Sequence, residues 1–79
     1  MTNTPYYVSI APAAQRHIHA LHSKNQKMII KFLESLAINP RPLGVTKIEG
    51  MIGLYAETVD KHRLIYKVEE QEVLLLLVV

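Results

Sequence analysis

The 79-residue sequence predicts an α+β fold: an N-terminal strand, an antiparallel two-helix hairpin and a mainly antiparallel C-terminal sheet packed on the helices. Three patterns predict it. Apolar residues recur with a helical period between Pro12 and Ala37, alternate with polar residues in His62–Val68, and run without interruption through Val73–Val79. Short polar breaks between the C-terminal segments are typical of antiparallel hairpins. We expect the order β-α-α-β-β-β-β.

Each element follows from a local pattern. Tyr6–Ile10 alternates as a strand does, and a proline in the first turn suits a helix over about Pro12–His22. Ser23 is the expected N-cap of a second helix, which covers about Lys24–Ala37. The remaining predicted strands are Val45–Ile48, Leu54–Val59, His62–Val68 and Val73–Val79, separated by turns at Glu49–Gly53, Asp60-Lys61 and Glu69–Glu72.

The last two predicted strands should form a hairpin at the centre of the fold. Leu64, Tyr66 and Val68 alternate with Arg63, Ile65 and Lys67, which indicates one packed face and one face open to solvent or a ligand. Val73–Val79 contains no polar residue, so we expect this strand to be buried on both faces.

The composition indicates one domain covering residues 1–79 and excludes several kinds of chemistry. The chain has no cysteine, which rules out disulfides, thiolate nucleophiles and cysteine metal sites. The segment before Ile10 lacks the basic start and apolar run of a signal peptide, and the C-terminal apolar run is too short to cross a bilayer. We therefore expect a cytoplasmic protein without a membrane partner. The formal charge of +2 is compatible with an anionic partner but does not require one.

Three histidines of the first helix region raise the question of a metal site. His19 and His22 share a helical face, but His17 is turned away from them, and no Asp or Glu lies in that helix. We interpret the three side chains as an exposed polar face.

Three segments carry a resemblance to a known family: "YYVSIAPAAQRHIHAL", "FLESLAINPRPLGVTKIEG" and "GLYAETVDKHRLIYKVEEQEVLLLLVV". With the order of elements and the small size, they resemble the RelE/ParE superfamily of bacterial toxins from type II toxin–antitoxin systems, the RelE branch above all. The resemblance covers essentially the whole chain. Its most specific part is "HRLIYKVEEQEVLLLLVV", followed by "NPRPLG…KIEG".

The resemblance implies a messenger-RNA endonuclease that cuts in the ribosomal A site. Such toxins need no metal or cofactor, because the 2′-OH of the RNA attacks the adjacent phosphorus and leaves a cyclic phosphate. The implied partners are a cognate antitoxin, with which the toxin forms a hetero-oligomer, the ribosome and the message.

The resemblance also implies site residues. Arg63 takes the position of the arginine that holds the scissile phosphate, and Lys47 that of a lysine just before the family's apolar-x-Gly. Lys61 and Tyr55 are expected to contact RNA as well. His62 is a candidate for proton transfer because imidazole is the side chain that most often moves protons near neutral pH, although strand alternation sends it to the face opposite Arg63.

Several of these residues also have an ordinary structural interpretation. Arg63 could be an exposed arginine paired with Glu57 or Glu72. Tyr66 lies on the apolar side of its strand and is predicted to be a core tyrosine, while Tyr55 either stacks on a base or caps the core. Three lysines of the second helix form either a solvated face or a contact to ribosomal RNA phosphates; they are Lys24, Lys27 and Lys31.

The sequence departs from the family pattern in two respects. Ala56 and Thr58 occupy positions where active RelE-like members commonly have basic residues. The family chain also continues past its last strand with a Gly-(His/Lys)-Arg segment and a terminal tyrosine or histidine, whereas this sequence is given to Val79. Either catalytic groups are missing or further residues follow. The alternatives to the endonuclease are a ParE-like inhibitor of DNA gyrase and a degenerate toxin that only binds its antitoxin.

Overall fold

The computed structural model describes residues 5–79. The helices and strands follow the predicted order β-α-α-β-β-β-β. They are β1 (Tyr7–Ile10), α1 (Pro12–His19), α2 (Ser23–Leu36), β2 (Thr46–Lys47), β3 (Leu54–Val59), β4 (His62–Glu69) and β5 (Glu72–Val78). Neither helix is long and apolar enough to cross a membrane within this part of the chain.

The five strands form one mixed sheet in the order β1-β5-β4-β3-β2. Strand β1 runs parallel to β5, and the other neighbouring pairs are antiparallel. The β4–β5 hairpin therefore lies inside the sheet, which confirms the predicted centre of the fold. Strand β1 covers the apolar strand β5, so within residues 5–79 the two open edges of the sheet belong to β1 and β2.

Both helices pack on the same face of the sheet, and the core lies between them. The buried apolar side chains come from one stripe of each helix and from alternate positions of β4 and β5, and fully burying one such side chain contributes about 1.5–3 kcal/mol. The core cluster consists of Ala14, Ile18, Ile29, Leu33, Leu36, Leu64, Tyr66, Val68, Val73, Leu75 and Val78.

The prediction that β5 is buried on both faces is wrong. Its core-facing residues are Val73, Leu75 and Val78. Leu77, in contrast, is 48% exposed. The pairing with β4 shifts by one residue at Leu76, and this irregularity returns Val78 to the core face. An all-apolar strand can thus alternate, because helices cover only one side of this sheet.

The first helix ends earlier than predicted. It stops at His19 rather than His22, because the N–H of Leu21 donates to the carbonyl of Ile18 over 3.0 Å in a tighter turn. The side chain of Gln26 then donates to the Leu21 carbonyl over 2.8 Å and satisfies a group that the helix leaves unpaired.

Three smaller boundaries also differ from the prediction. Ser23 is the first residue of α2 rather than its N-cap, and the preceding histidine makes no side-chain capping bond. Strand β2 is shorter than the predicted Val45–Ile48. Strand β1 starts one residue later than expected, because the N–H of Tyr6 donates to the Ala37 carbonyl over 2.8 Å instead of to a strand.

Candidate phosphate-binding site

The register of the strands divides the predicted site residues between the two faces of the sheet. Tyr66 belongs to the core, so its neighbour positions in β4 point to the opposite face, which we call the outer face. Arg63 is an outer-face residue and lies opposite Thr58 of β3. Thr46 of β2 lies opposite Ala56 and shares that face.

These outer-face residues surround a small pocket, which we call the Arg63 pocket. Its volume is about 100 Å³, and it is lined by Gly44, Thr46, Ala56, Glu57, Thr58 and Arg63. Ala56 is 3% exposed yet stands outside the core cluster, because its short side chain lies between larger neighbours on the outer face. The pocket therefore belongs to the sheet surface and is separate from the core.

Arg63 makes no ion pair within residues 5–79, where the one ion pair joins Lys67 and Glu69 at 3.2 Å. The alternative in which Arg63 pairs with Glu57 or Glu72 is therefore wrong. Glu57 lies opposite Leu64 on the helix side, and Glu72 lies opposite Glu69 at the other end of the hairpin. The exposed guanidinium keeps its planar set of donors for a ligand.

Lys47 and His62 do not join Arg63. Lys47 lies opposite Tyr55, which itself lies opposite the core residue Tyr66, so the lysine is on the helix side of the sheet edge. His62 lies opposite Val59, another helix-side position. Alternation along the paired strands therefore places Lys47 and Arg63 on opposite faces of the sheet, so the structure does not bring these two predicted site residues together.

Tyr55 belongs to an aromatic cluster on the helix side. Its ring stacks on Tyr66 with centroids 5.8 Å apart, and Phe32 meets Tyr66 edge-on at 6.3 Å. The Tyr55 hydroxyl accepts a 2.8 Å hydrogen bond from Nε of Arg41, which raises the pKa of Arg41. Of the two interpretations of Tyr55, the structure therefore shows the core one, away from the Arg63 pocket.

Tyr66 is fully buried, as predicted for a core tyrosine. Its hydroxyl donates to the Pro40 carbonyl over 3.0 Å and so fixes the loop that precedes β2. Burial, followed by the negative charge of Glu57, raises the pKa of Tyr66 to about 12. The hydroxyl thus keeps its proton at neutral pH and acts as a structural donor.

Two further cations lie near this part of the sheet. Lys61 is exposed in the two-residue turn between β3 and β4, at the same end of the hairpin as Arg63. Lys67 shares the outer face with Arg63, about 13 Å further along β4 at the usual strand rise, and its charge is offset by Glu69. The alternation in the sequence predicts that Lys67 lies on the same face as Arg63. No sequence pattern predicts the position of Arg41, because Arg41 lies in a loop.

The Arg63 pocket offers one guanidinium and the hydroxyls of Thr46 and Thr58. Ala56 and Thr58, the neutral residues at positions where the resemblance implied cations, line it, and Arg63 is the one positively charged residue of its lining. Glu57 is its only lining residue with an acidic side chain, and the register directs that side chain to the helix side. The arrangement can hold a phosphate, but its outer-face lining residues contain no carboxylate or imidazole to move a proton.

The histidines of the helical region are exposed: His17, His19 and His22. No group of three or more His, Cys, Asp or Glu side chains that could hold a metal ion occurs in residues 5–79.

No protein-family model matches this sequence, and no curated protein matches it at a significant level. Several solved structures do match the fold of this chain. The chain is similar to archaeal RelE in the RelE–RelB complex of Pyrococcus horikoshii, with a TM-score of 0.85 and 23% identity over 94% of this chain and 92% of that chain. For the toxin–antitoxin complex RelBE2 of Mycobacterium tuberculosis, the TM-score is 0.80 at 23% identity, over 94% and 95% of the chains.

A third structure, the intact RelBE toxin–antitoxin complex of E. coli, gives a TM-score of 0.78 at 23% identity, over 92% of this chain and 93% of that chain. The chain therefore has the RelE fold, as the resemblance implied.

Proposed function

We propose that this chain is the toxin of a toxin–antitoxin pair and cleaves messenger RNA on the ribosome. The observation that carries the proposal is the unpaired Arg63 guanidinium, which lines a pocket on the outer face of a RelE fold. An unpaired arginine on a rigid strand suits bidentate binding of a phosphate.

In the proposed reaction, Arg63 binds the scissile phosphate and stabilises the charge that develops on it. The 2′-oxygen of the RNA forms a bond to phosphorus, the bond from phosphorus to the 5′-oxygen breaks, and a cyclic phosphate remains. The 2′-OH loses a proton and the leaving 5′-oxygen gains one. We do not assign these transfers to His62, which lies on the other face of the sheet.

An antitoxin is the proposed partner, since three of the similar solved structures are toxin–antitoxin complexes and two surfaces of this chain suit such a partner. A groove of about 440 Å³ runs between β1 and α2, with Val8, Ile30 and Leu33 among its apolar lining residues. Strand β1 beside it is an open edge of the sheet. An extended or amphipathic peptide can bury the groove and pair with the edge.

One observation favours a second candidate, a degenerate toxin that binds its antitoxin without cleaving RNA. The Arg63 pocket has a single cation, because Ala56 and Thr58 are neutral and Lys47 is on the other face. No feature of the geometry favours gyrase inhibition.

The test is cleavage of a ribosome-bound message by the purified chain, mapped by primer extension, together with growth after induction without antitoxin. We expect Arg63→Ala to lower the cleavage rate at least about 100-fold, the usual loss when one donor to a developing charge is removed. Lys67→Ala is the matched control, because it removes a cation from the same strand and face. We expect it to change the rate less than about threefold.

Absence of cleavage and of growth arrest with the unmodified chain would select the degenerate toxin. Equal rates for Arg63→Ala and the unmodified chain would overturn the assignment of Arg63.

A further inference from the structure

Positive charge is concentrated in the N-terminal part of the chain, where four of the six Lys and Arg residues lie on the helices and the other two, Arg41 and Lys47, lie in a loop and on β2. Residues 1–48 contain six Lys and Arg and one Glu, whereas residues 49–79 contain three Lys and Arg and six Asp and Glu. The small net charge of +2 thus conceals a strongly basic half and an acidic half.

Three of these cations form a row on α2, which we call the lysine stripe: Lys24, Lys27 and Lys31. Their spacing places them within about 60° of arc and along about 10 Å of the helix axis. All three are exposed, and they lie opposite Ile29 and Leu33, which pack into the core. The stripe therefore points away from the sheet.

The helix α1 adds to the same surface. Arg16 is exposed and lies on the side of α1 opposite Ala14 and Ile18, the residues that α1 buries. Both helices pack on one face of the sheet, so Arg16 and the lysine stripe share the solvent side of the helical layer.

No ion pair joins these cations to an acidic side chain within residues 5–79. Glu34 is the one acidic residue of the two helices; it lies on the side of α2 that carries Lys27 and Lys31 and lines a groove with them. Four exposed cations against this one carboxylate leave the solvent side of the helices with a net positive charge, which attracts a polyanion over several ångströms.

Two lysines of the stripe lower the stability of α2, because they lie at its N-terminal end. The helix begins at Ser23 with no acidic residue in its first turn and no side-chain cap, so Lys24 and Lys27 stand at the positive end of the helix dipole. A cation there destabilises a helix by about 0.3–1 kcal/mol relative to an anion. A bound polyanion reverses this effect.

We propose that the helical layer, through the lysine stripe and Arg16, binds the phosphate backbone of double-helical RNA without reading its sequence. A duplex presents closely spaced phosphates along a rigid path that matches a straight row of lysines. The stripe contains no aromatic side chain, which single-stranded RNA would stack on. The exposed apolar residues that flank it on α2 are Met28 and Ile30, and neither is an aromatic residue or a leucine of the kind with which amphipathic helices enter a lipid surface.

This inference goes beyond the proposed function, because it assigns a docking surface on the side of the molecule away from the Arg63 pocket. The choice of RNA over DNA rests on the proposed function; the binding of a phosphate backbone does not.

The experiment measures binding of the full chain to a fluorescent 12-base-pair RNA duplex by anisotropy at several salt concentrations. The test variant changes all three stripe lysines to glutamine, a good helix former: Lys24→Gln, Lys27→Gln and Lys31→Gln. The matched control removes the same charge from the sheet: Lys47→Gln, Lys61→Gln and Lys67→Gln. Circular dichroism checks that both variants are folded.

We expect the stripe variant to bind at least about tenfold more weakly at 50 mM salt and to lose about two units of the salt slope, since each phosphate contact contributes about 0.7–0.9. We expect the sheet control, which loses the same charge, to bind the duplex at least about threefold more tightly than the stripe variant, and Arg63→Ala to bind it within about threefold of the unmodified chain, because neither changes the stripe.

Equal losses in the stripe variant and the sheet control would show that net charge alone matters, and would overturn the proposal. So would duplex binding that requires Arg63. Two further probes test the ligand class: vesicles rich in phosphatidylserine and a DNA duplex of the same length. Stripe-dependent binding to the vesicles without binding to RNA, or binding to DNA more than tenfold tighter than to RNA, would also overturn it. Toxicity is not a readout here, so failure of the cleavage assay leaves this test unaffected.

Discussion

The outer face of the sheet and the solvent side of the helical layer use charge in different ways. The outer face carries one unpaired guanidinium, at Arg63, in a pocket of about 100 Å³, and its other cation, Lys67, is paired with Glu69. The helical layer carries a row of exposed lysines, two of which, Lys27 and Lys31, line one groove together with Glu34. A single cation on a rigid strand suits the binding of one phosphate group. A row of lysines on long side chains suits the phosphate backbone of a nucleic acid.

The two surfaces also depend on different parts of the fold. Pairing of β3 with β4 sets Arg63 opposite Thr58, so a shift of that pairing changes the pocket. The lysine stripe depends only on the period of α2 and on the packing that orients it. The two surfaces should therefore respond to different substitutions.

A second cation added to the Arg63 pocket should raise activity. Thr58 is exposed and lines the pocket, so Thr58→Lys places an ammonium group beside the proposed phosphate. We expect messenger-RNA cleavage to rise about tenfold, equivalent to about 1.4 kcal/mol, because a charge-assisted contact contributes about that much.

The control for this variant is Tyr7→Lys, which adds the same charge at an exposed position of β1, the far edge of the sheet. A rise in cleavage with both lysines would mean that general attraction, not the pocket, limits the rate.

A second substitution should weaken the pairing of β3 with β4 through the backbone at the end far from Arg63. Gly53 has a φ of 77°, and an added Cβ would lie 2.8 Å from the carbonyl oxygen of Val68. We expect Gly53→Ala to lower the free energy of unfolding by about 2–3 kcal/mol, from positive φ and the clash together. Urea unfolding measures this.

Gly50→Ala is the control for Gly53→Ala, because Gly50 also has a φ of 77° but open space around its Cβ position. It should be destabilised by only about 1 kcal/mol. Equal effects of the two substitutions would remove the role given to the contact with Val68.

A third prediction concerns alkaline pH. Burial raises the pKa of Tyr66 to about 12, above the value of about 10 in the unfolded chain. The buried neutral phenol therefore stabilises the fold fully below pH 10, and this contribution is lost as the pH rises from about 10 to about 12. Thermal melts across this range should show a fall that Tyr66→Phe lacks.

Tyr66→Phe also removes the hydrogen bond to the Pro40 carbonyl, so at neutral pH it should lower the free energy of unfolding by about 1–2 kcal/mol. If the alkaline fall persists unchanged in Tyr66→Phe, another group causes it.

The smallest effect should appear on the helical layer. Lys24→Glu places an anion in the first turn of α2, and we expect the free energy of unfolding to rise by about 0.3–1 kcal/mol. The same change should weaken duplex binding, so stability and binding should move in opposite directions. A variant that is both more stable and equally good at binding would contradict the role given to Lys24.

The sequence predicted the fold well because its signals are local. The helical periods place Ile29 and Leu33 on the core side of α2, and the alternation in β4 places Leu64 and Tyr66 there, as observed. The parallel pairing of β1 with β5 has no local signal, since it joins segments about 65 residues apart. For the same reason the one-sided burial of β5 could not be read from an all-apolar strand.

The candidate site was predicted less completely. The motif and the alternation along β4 together predicted that Arg63 lies on the face of the sheet away from the core. The face of Lys47 could not be predicted in this way, because it depends on the register of Lys47 with Tyr55, which is set by the loop that precedes β2. Arg41 was missed for a similar reason: its hydrogen bond to Tyr55 depends on how Tyr66 anchors that loop.

The most direct test of the account compares two variants in two assays with the same protein preparations. Arg63→Ala should lose at least about 100-fold in the rate of messenger-RNA cleavage at saturating ribosomes and keep its affinity for the RNA duplex. The lysine-stripe variant should keep the cleavage rate at saturation and lose at least about tenfold in duplex affinity. If either substitution reduced both quantities together, the two surfaces would not be separate, and the central claim would be wrong.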